Sequence, residues 1–407
     1  MPAPEALKIQ PLLLRTVVEC LYSIFVDGRH ADKVIEYALK NNRKAGSRDR
    51  AFIAETTYEI VRHYRLYQEI LGKKPTSQWD FWQICGIHLV RAKQAPLPSF
   101  LEFKNLNFNE IKQKLESFKN VRAVYESIPD WLDTLCQDEL PEVWDDTLSA
   151  LNQPAKVVLR TNRLKIDPQK LAHVLAEEKI DTYPVADSDA LVLRKRQNVF
   201  QTKAFKAGFF EVQDFSSQLV APLLAPEPGM RVIDACAGGG GKSLHLAALM
   251  QNKGLIIALD TLAWKLDALR VRARRAGVSN IEPRFIESNK TIKRLYGSAD
   301  RLLLDVPCSG LGVLRRNPDS KWKLTLEQIE SLKKTQAEIL RAYSPMLKPG
   351  GRMVYATCSI LPSENRMQVD AFLKSETGSR FKLLYDNRIL PQDAGFDGFY
   401  MALLECV

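Results

Sequence analysis

No run of apolar residues in this chain approaches the roughly 18–20 needed to cross a bilayer. The N-terminal stretch MPAPEALKIQPLLLRTVVEC carries an acid near its start and lacks a long apolar core, so no secretory signal is read there. Cysteine is sparse: seven residues, an odd number, scattered, with no C-x-x-C pair. That argues against a zinc cluster or a disulfide framework and makes a reducing cytoplasm the default, with no metal site expected. No internal repeat is visible. Disorder is excluded as well, because 45% of the 407 residues are hydrophobic, 26% are charged and the mean hydropathy is −0.21. At roughly 100–200 residues per domain, this length predicts two to four domains.

What the chain has in excess is positive charge. Lys and Arg number 58 against 48 Asp and Glu, a net charge of +10. The excess is uneven. Residues 1–125 are basic by 7, residues 126–150 hold eight acids and no base, and residues 151–407 are basic by 11. Two basic regions flank a short acidic one, a pattern compatible with a polyanionic partner or with simple solubility.

Apolar spacing predicts helices in LLLRTVVECLYSIF and in DRAFIAETTYEIVRHYRLYQEIL, the second capped by Asp49 or Ser47, with the basic loop NNRKAGSRDR between them. The acidic stretch predicts short helices anchored by Trp131 and Trp144. From Val157 the pattern changes to a small α/β module: VVLRTNRL as a strand, a helix capped by Asp167, and ALVLR as a strand. From Met230 strands alternate with helices, which predicts a Rossmann-like, doubly wound parallel sheet. The expected division is a helical domain over 1–125, an acidic linker over 126–154, the module over 155–215 and the catalytic sheet over 216–407.

The first strand of that sheet runs into Asp234-Ala-Cys-Ala-Gly-Gly-Gly-Gly-Lys-Ser243. A phosphate-binding P-loop would need glycine at position 236, where Cys236 stands, so that reading fails. The other reading is an adenosine cofactor laid on a glycine turn, with Asp260, 22 residues after Gly238, on the ribose hydroxyls. NAD and S-adenosylmethionine both remain open on this ground. Two further strands end in Asp305-Val-Pro-Cys308-Ser and in Ala-Thr-Cys358-Ser. Neighbouring strands would bring both thiols to the cofactor rim. A thiolate beside a methyl donor points to covalent catalysis on an electrophilic ring. Addition at carbon 6 of cytosine activates carbon 5, and a carboxylate such as Asp305 near ring nitrogen 3 favours that addition. Cys20, Cys85, Cys136 and Cys406 read as small buried hydrophobes.

LRTN, GFFEVQDFSSQ, DACAGGGGKS, LLLDVPCSGLGVLRRNPDSKW, TCSILPSEN and LPQDAGFDGFYMALL together resemble the RsmB-type (Fmu/Sun, Nop-related) RNA cytosine-C5 methyltransferases over most of residues 155–407. More loosely, GSRDRAFIAETTYEIVRHYR resembles the NusB-like helical RNA-binding domain of that branch. The resemblance implies a Rossmann-like methyltransferase fold with an all-α N-terminal domain, S-adenosylmethionine as cofactor and cytidine in RNA as substrate. Small-subunit (16S) rRNA is the expected target, with transfer RNA or a catalytically silent assembly factor as alternatives.

By motif, the resemblance assigns Cys358 as nucleophile and Cys308 to product release, with Asp305 as the acid beside it. It assigns Cys236, Ala237, Gly238, Gly239, Gly240, Gly241 and Lys242 to the cofactor loop and Asp260 to the ribose. Two positions depart from the family pattern. Gly239 stands where proline is usual, which should loosen the loop. The third strand ends without the usual Asp, leaving Glu287 or Asn289 near the adenine. Arg315, Arg316, Lys321 and Lys323, with Arg160, are expected to hold RNA phosphates. A cluster of Arg194, Lys195, Arg196, Lys203 and Lys206 precedes the catalytic core. Arg270, Arg272, Arg274 and Arg275 read as a solvated helix face, and His245 as a packing residue. A monomer is expected, with no membrane partner.

Overall fold

The computed structural model describes residues 9–42 and 45–407. The chain divides into two compact units, one formed by the residues up to Asn152 together with Leu314–Leu324, the other by Gln153–Val313 and Thr325–Val407.

The first unit is helical. Helices span Pro11–Phe25, Ala31–Asn41, Ser47–Arg62, Tyr64–Leu71 and Gln78–Lys93. Leu14, Val17, Leu21, Ile53, Ile60, Leu66, Tyr67, Phe81 and Ile84 recur at helical spacing and fill one core. The helix predicted from Asp49 onward starts at Ser47, and Asp49 accepts from the Gly46 amide at 3.3 Å. It breaks at His63, whose backbone leaves the helical region. The helix Ala31–Asn41 was not foreseen. Arg43 and Lys44 of the expected basic loop, like the first eight residues, lie outside the described residues.

The acidic stretch forms the short helices Asp130–Glu139 and Trp144–Leu151 within this unit. Arg122 bonds Asp133 and Asp145, and Asp133 accepts from the buried Trp144 indole at 2.7 Å. Trp131 is half-buried. Residues 314–324 complete the unit. Trp322 Nε1 donates to the Val61 carbonyl at 2.7 Å, and Asp319 accepts the Ala31 amide at 3.0 Å.

In the second unit a four-stranded antiparallel sheet contains β1 (Val158–Thr161), β2 (Thr182–Pro184), β3 (Ala190–Leu193) and β4 (Phe210–Val212) in the order β2-β3-β1-β4. Asp167 caps its helix, accepting from the Lys170 amide at 2.8 Å as the sequence predicts. The large sheet holds β5 (Arg231–Asp234), β6 (Leu255–Asp260), β7 (Ile281–Phe285), β8 (Ala299–Asp305), β9 (Leu347–Thr357), β10 (Phe381–Ile389) and β11 (Phe399–Cys406). Its order is β10-β11-β9-β8-β5-β6-β7. Strands β5 to β9 are parallel, as the β-α alternation requires. The last two are not: β11 runs antiparallel between β9 and β10, because only a short connection joins β10 to β11. Strand order reverses at β5, so a crevice opens beyond the carboxyl ends of β5 and β8.

Candidate active site

A cavity of about 740 Å³ opens at that switch point. Ala235, Cys236 and Gly238 line it from the turn after β5, Asp260 and Thr261 from the end of β6, Ile286 and Asn289 from the segment after β7, and Asp305 from the end of β8. The turn is held by its own backbone and by one acid. Asp260 accepts the Gly238 amide at 2.9 Å and the Leu262 amide at 2.8 Å. Gly240 has φ +81°, and a Cβ there would meet Leu269 Cγ at 2.5 Å, so only glycine fits. At Gly238 a Cβ would meet nothing, which leaves the backbone open to a ligand.

Outside the turn, Arg272 donates to the Gly239 carbonyl at 2.6 Å and pairs with Glu211 at 2.9 Å. Arg275 also bonds Glu211, so half of the helix face expected to be solvated is tied to the module. Lys242 pairs with Asp305 at 2.6 Å and sits 5.2 Å from the centre of the Phe399 ring. Behind the turn Asp234 accepts from Ser243 at 2.6 Å, and burial pushes its carboxyl up to about 7.

The two thiols meet. Cys308 Sγ lies 3.3 Å from Cys358 Sγ, at the ends of the paired strands β8 and β9. The hydrogen bond to Cys358, desolvation and the neighbouring charge of Cys358 and Glu364 hold the Cys308 proton well above the usual thiol range. Burial and the carboxylates of Asp234, Asp305 and Asp260 do the same to Cys236, which disqualifies it as a nucleophile. Cys20, Cys85, Cys136 and Cys406 are buried.

Other expectations need correction. Arg315 is buried and donates to the Ala150 carbonyl at 2.8 Å. Lys321 is 2% exposed, donates to the Arg62 carbonyl at 2.8 Å and to Asn152 at 3.2 Å, and is held well below the usual lysine range by burial. Lys323 donates to the Arg29 carbonyl and to Asp319, and Arg316 is half-buried in the same segment. Arg160 is buried against the Gly241 carbonyl at 2.5 Å. Arg315, Lys321 and Arg160 therefore face protein carbonyls, out of reach of a phosphate. Glu287 is exposed and does not line the cavity; Ile286 and Asn289 do. Ala237, Gly239, Gly240 and Gly241 shape the turn without lining the cavity. Sequence reasoning gave no role to Glu364, Gln336, Arg272 or Glu211. Glu364 sits in the quoted TCSILPSEN and Glu211 in GFFEVQ, which were the available signals.

The profile of the 16S rRNA methyltransferases RsmB/F matches residues 221–405, and that of the RsmF/B-like ferredoxin-like domain matches residues 128–200. The chain is 33% identical over 383 residues to a probable ribosomal RNA small subunit methyltransferase B of Synechocystis, with 85% of each chain covered. It is 36% identical over 284 residues to the ribosomal RNA small subunit methyltransferase B of Vibrio cholerae, covering 68% of this chain and 64% of that one. The chain belongs to this methyltransferase family.

Among solved structures, a methyltransferase homolog from Pyrococcus horikoshii superposes with a TM-score of 0.62 at 27% identity, over 70% of this chain and 98% of that one. NSun6 from the same organism, solved with SFG, shares the fold at a TM-score of 0.63 and 22% identity, over 69% and 98%. The family takes its methyl group from S-adenosylmethionine. The residues present fit that group: an open glycine backbone, a strand-end carboxylate and an apolar wall at Ile286 enclose a cavity of cofactor size.

Proposed function

We propose that this chain methylates carbon 5 of a cytidine in small-subunit ribosomal RNA through a covalent bond between Cys358 and carbon 6 of the ring. The observation that carries this reading is the thiol pair, 3.3 Å apart, with Asp305 at the end of the strand that leads to Cys308. Transfer to an oxygen or an exocyclic nitrogen needs no thiol. Carbon 5 of cytosine does, because it is a poor nucleophile until a thiolate adds next to it.

S-adenosylmethionine, when bound, supplies an electrophilic methyl group. Asp260 and the Gly238 turn would hold it. Cys358 adds to carbon 6 as a thiolate, while Asp305, oriented by Lys242, hydrogen-bonds or protonates ring nitrogen 3. The electron pair reaches carbon 5, which takes the methyl group. Cys308 then removes the proton of carbon 5, the carbon–sulfur bond breaks, and Cys358 leaves as a thiolate. With the Cys358 sulfur bonded to carbon, Cys308 gives up its own proton to solvent and acts as the base.

The target ring is stacked in RNA and must be flipped out to reach these groups. Phosphate contacts fall to the exposed Arg194, Lys195, Arg196, Lys203 and Lys206 of the module, in place of the buried cations. The helical unit supplies a second RNA contact. The cytoplasm, which keeps seven free thiols reduced, is the place of action.

The test is covalent trapping. Cys308→Ala, incubated with small-subunit rRNA and S-adenosylmethionine, should give a shifted protein–RNA band on a denaturing gel, and Cys308→Ala/Cys358→Ala should not. Absence of the first band overturns the release role, and persistence in the double variant overturns the nucleophile. Bisulfite sequencing of RNA from cells with and without the gene then reads substrate and position together.

A further inference from the structure

The β8–β9 ladder stops short of the chemistry. Its last bond runs from the Val306 amide to the Ala356 carbonyl at 3.0 Å, and both cysteines lie two residues farther on. Sheet pairing therefore does not set the distance between the sulfurs.

One buried side chain spans the gap. Glu364 is fully buried, and its Oε1 accepts the Ser309 amide at 2.8 Å and Gln336 Nε2 at 2.9 Å. Its Oε2 accepts the hydroxyls of Ser309 and Ser359, each at 2.5 Å. Ser309 follows Cys308, and Ser359 follows Cys358. A single carboxylate thus ties the residue after one thiol to the residue after the other. Gln336 also donates to the Pro307 carbonyl at 3.0 Å, which fixes the other side of Cys308. The Glu364 carbonyl accepts from Tyr355 in β9 at 2.7 Å, so the clamp is anchored to the sheet.

The only backbone bond near the thiols that links the two loops among the described residues runs from the Gly312 amide to the Cys358 carbonyl, at 2.9 Å. A Cβ at Gly312 would meet that carbonyl at 2.7 Å, so this approach requires glycine. A buried acid is costly unless fully bonded. Four donors fill the acceptor sites of this one, and the network is closed.

We propose that Glu364 is a positioning residue that sets the separation of the Cys308 and Cys358 sulfurs. It touches neither substrate nor cofactor. The inference rests on the covalent reading above for its consequence in catalysis, but its geometry is measurable without catalysis. Diamide oxidises two adjacent thiols to a disulfide and takes up their two hydrogens, at a rate that reports how well the sulfurs are juxtaposed.

The experiment uses the full chain and follows Cys308–Cys358 disulfide formation by peptide mass spectrometry. Glu364→Ala should slow closure by about tenfold or more, since misplacing reacting atoms by about 1 Å can cost up to about a hundredfold. Glu364→Gln should stay near the parent rate, because its amide oxygen still serves Ser309 and Gln336 while its amino group faces hydroxyls that can turn to accept. In methyl transfer, Glu364→Ala should lower kcat by a similar factor with an unchanged KM for S-adenosylmethionine. Parent-rate closure in a folded Glu364→Ala protein overturns the proposal. Should that variant not fold, Ser309→Ala/Ser359→Ala removes the same tie from the other side; slow closure supports the proposal and parent-rate closure overturns it. The covalent reading fails separately, if Cys358→Ala still transfers methyl groups while the closure results stand.

Discussion

At the ends of β5 and β6 the chain arranges its functional groups with backbone; at the ends of β8 and β9 it does so with side chains. On the first rim, Asp260 accepts two amides of its own neighbourhood, the Ala237 amide reaches the Leu259 carbonyl at 2.9 Å, and Gly240 fixes the turn. On the second, the ladder ends at Val306, and Ser309, Ser359, Gln336 and Glu364 take over. The first rim lines the cavity with polar backbone and a carboxylate. The second holds two sulfurs close together beside an open crevice. Two rims built by different means should also fail independently, and that is what experiments can break.

The largest effect is expected at the second rim. Cys358→Ala should lower methyl transfer by about a thousandfold or more, as loss of a covalent nucleophile does. Cofactor affinity, measured by calorimetry, should stay within about twofold, because Cys358 does not line the cofactor cavity. The reverse pattern is expected from Asp260→Ala. Two amides lose a charged acceptor along with the proposed ribose contact, so cofactor affinity should fall by about a hundredfold, near 2–3 kcal/mol. Diamide closure of the thiol pair should be unaffected. If Asp260→Ala also slowed closure, the rims would be one coupled structure.

The same contrast explains what could be read from the sequence. Gly238 to Lys242 and Asp260 are close in the chain or at a standard interval, so the turn and the acid that meet at the switch-point cavity were legible. The thiol pair was legible too, because each cysteine follows a strong strand and parallel neighbours bring strand ends together. Glu364 and Gln336 were not. A buried acid gives no periodic signal, and Gln336 is an ordinary residue of a long helix until its partner is known. The cations misled for a related reason. Arg315, Lys321 and Lys323 form a basic run, yet Lys321 Nζ bonds the Arg62 carbonyl and Arg315 Nε the Ala150 carbonyl. Charge in a sequence reports no burial. Strands β2 and β4 are too short, at three residues each, for alternation to register.

A smaller effect should follow at the outer edge of the first rim. Beside Asp260 on Gly238 and Arg160 on Gly241, Arg272 clamps the turn through the Gly239 carbonyl. Gly239 has no side chain to stiffen the loop, and Arg272 restrains its carbonyl. Arg272→Met keeps the bulk and removes both the clamp and the pair with Glu211. It should weaken cofactor binding by about tenfold, the worth of one charged hydrogen bond, with kcat at saturating cofactor little changed. Unaltered affinity in calorimetry would mean the turn holds itself.

The smallest effect lies behind the turn and reads in stability alone. Asp234 is buried under the first rim, with burial as the chief cause that raises its carboxyl to about 7 and the Ser243 hydrogen bond opposing it. In an unfolded chain the same carboxyl titrates near about 4. Between those values the folded protein keeps a proton that the unfolded chain has lost. Stability from this group therefore falls as pH rises from about 4 to about 7, and is level above. Asp234→Asn retains an acceptor for the Ser243 hydroxyl and has nothing to ionise. Its melting temperature should exceed the parent's at pH 8, and the difference should shrink as pH falls toward about 5. A variant less stable than the parent at pH 8 would show instead that the fold draws net benefit from the charged carboxylate, and would move Asp234 from the scaffold of the cofactor turn into its electrostatics.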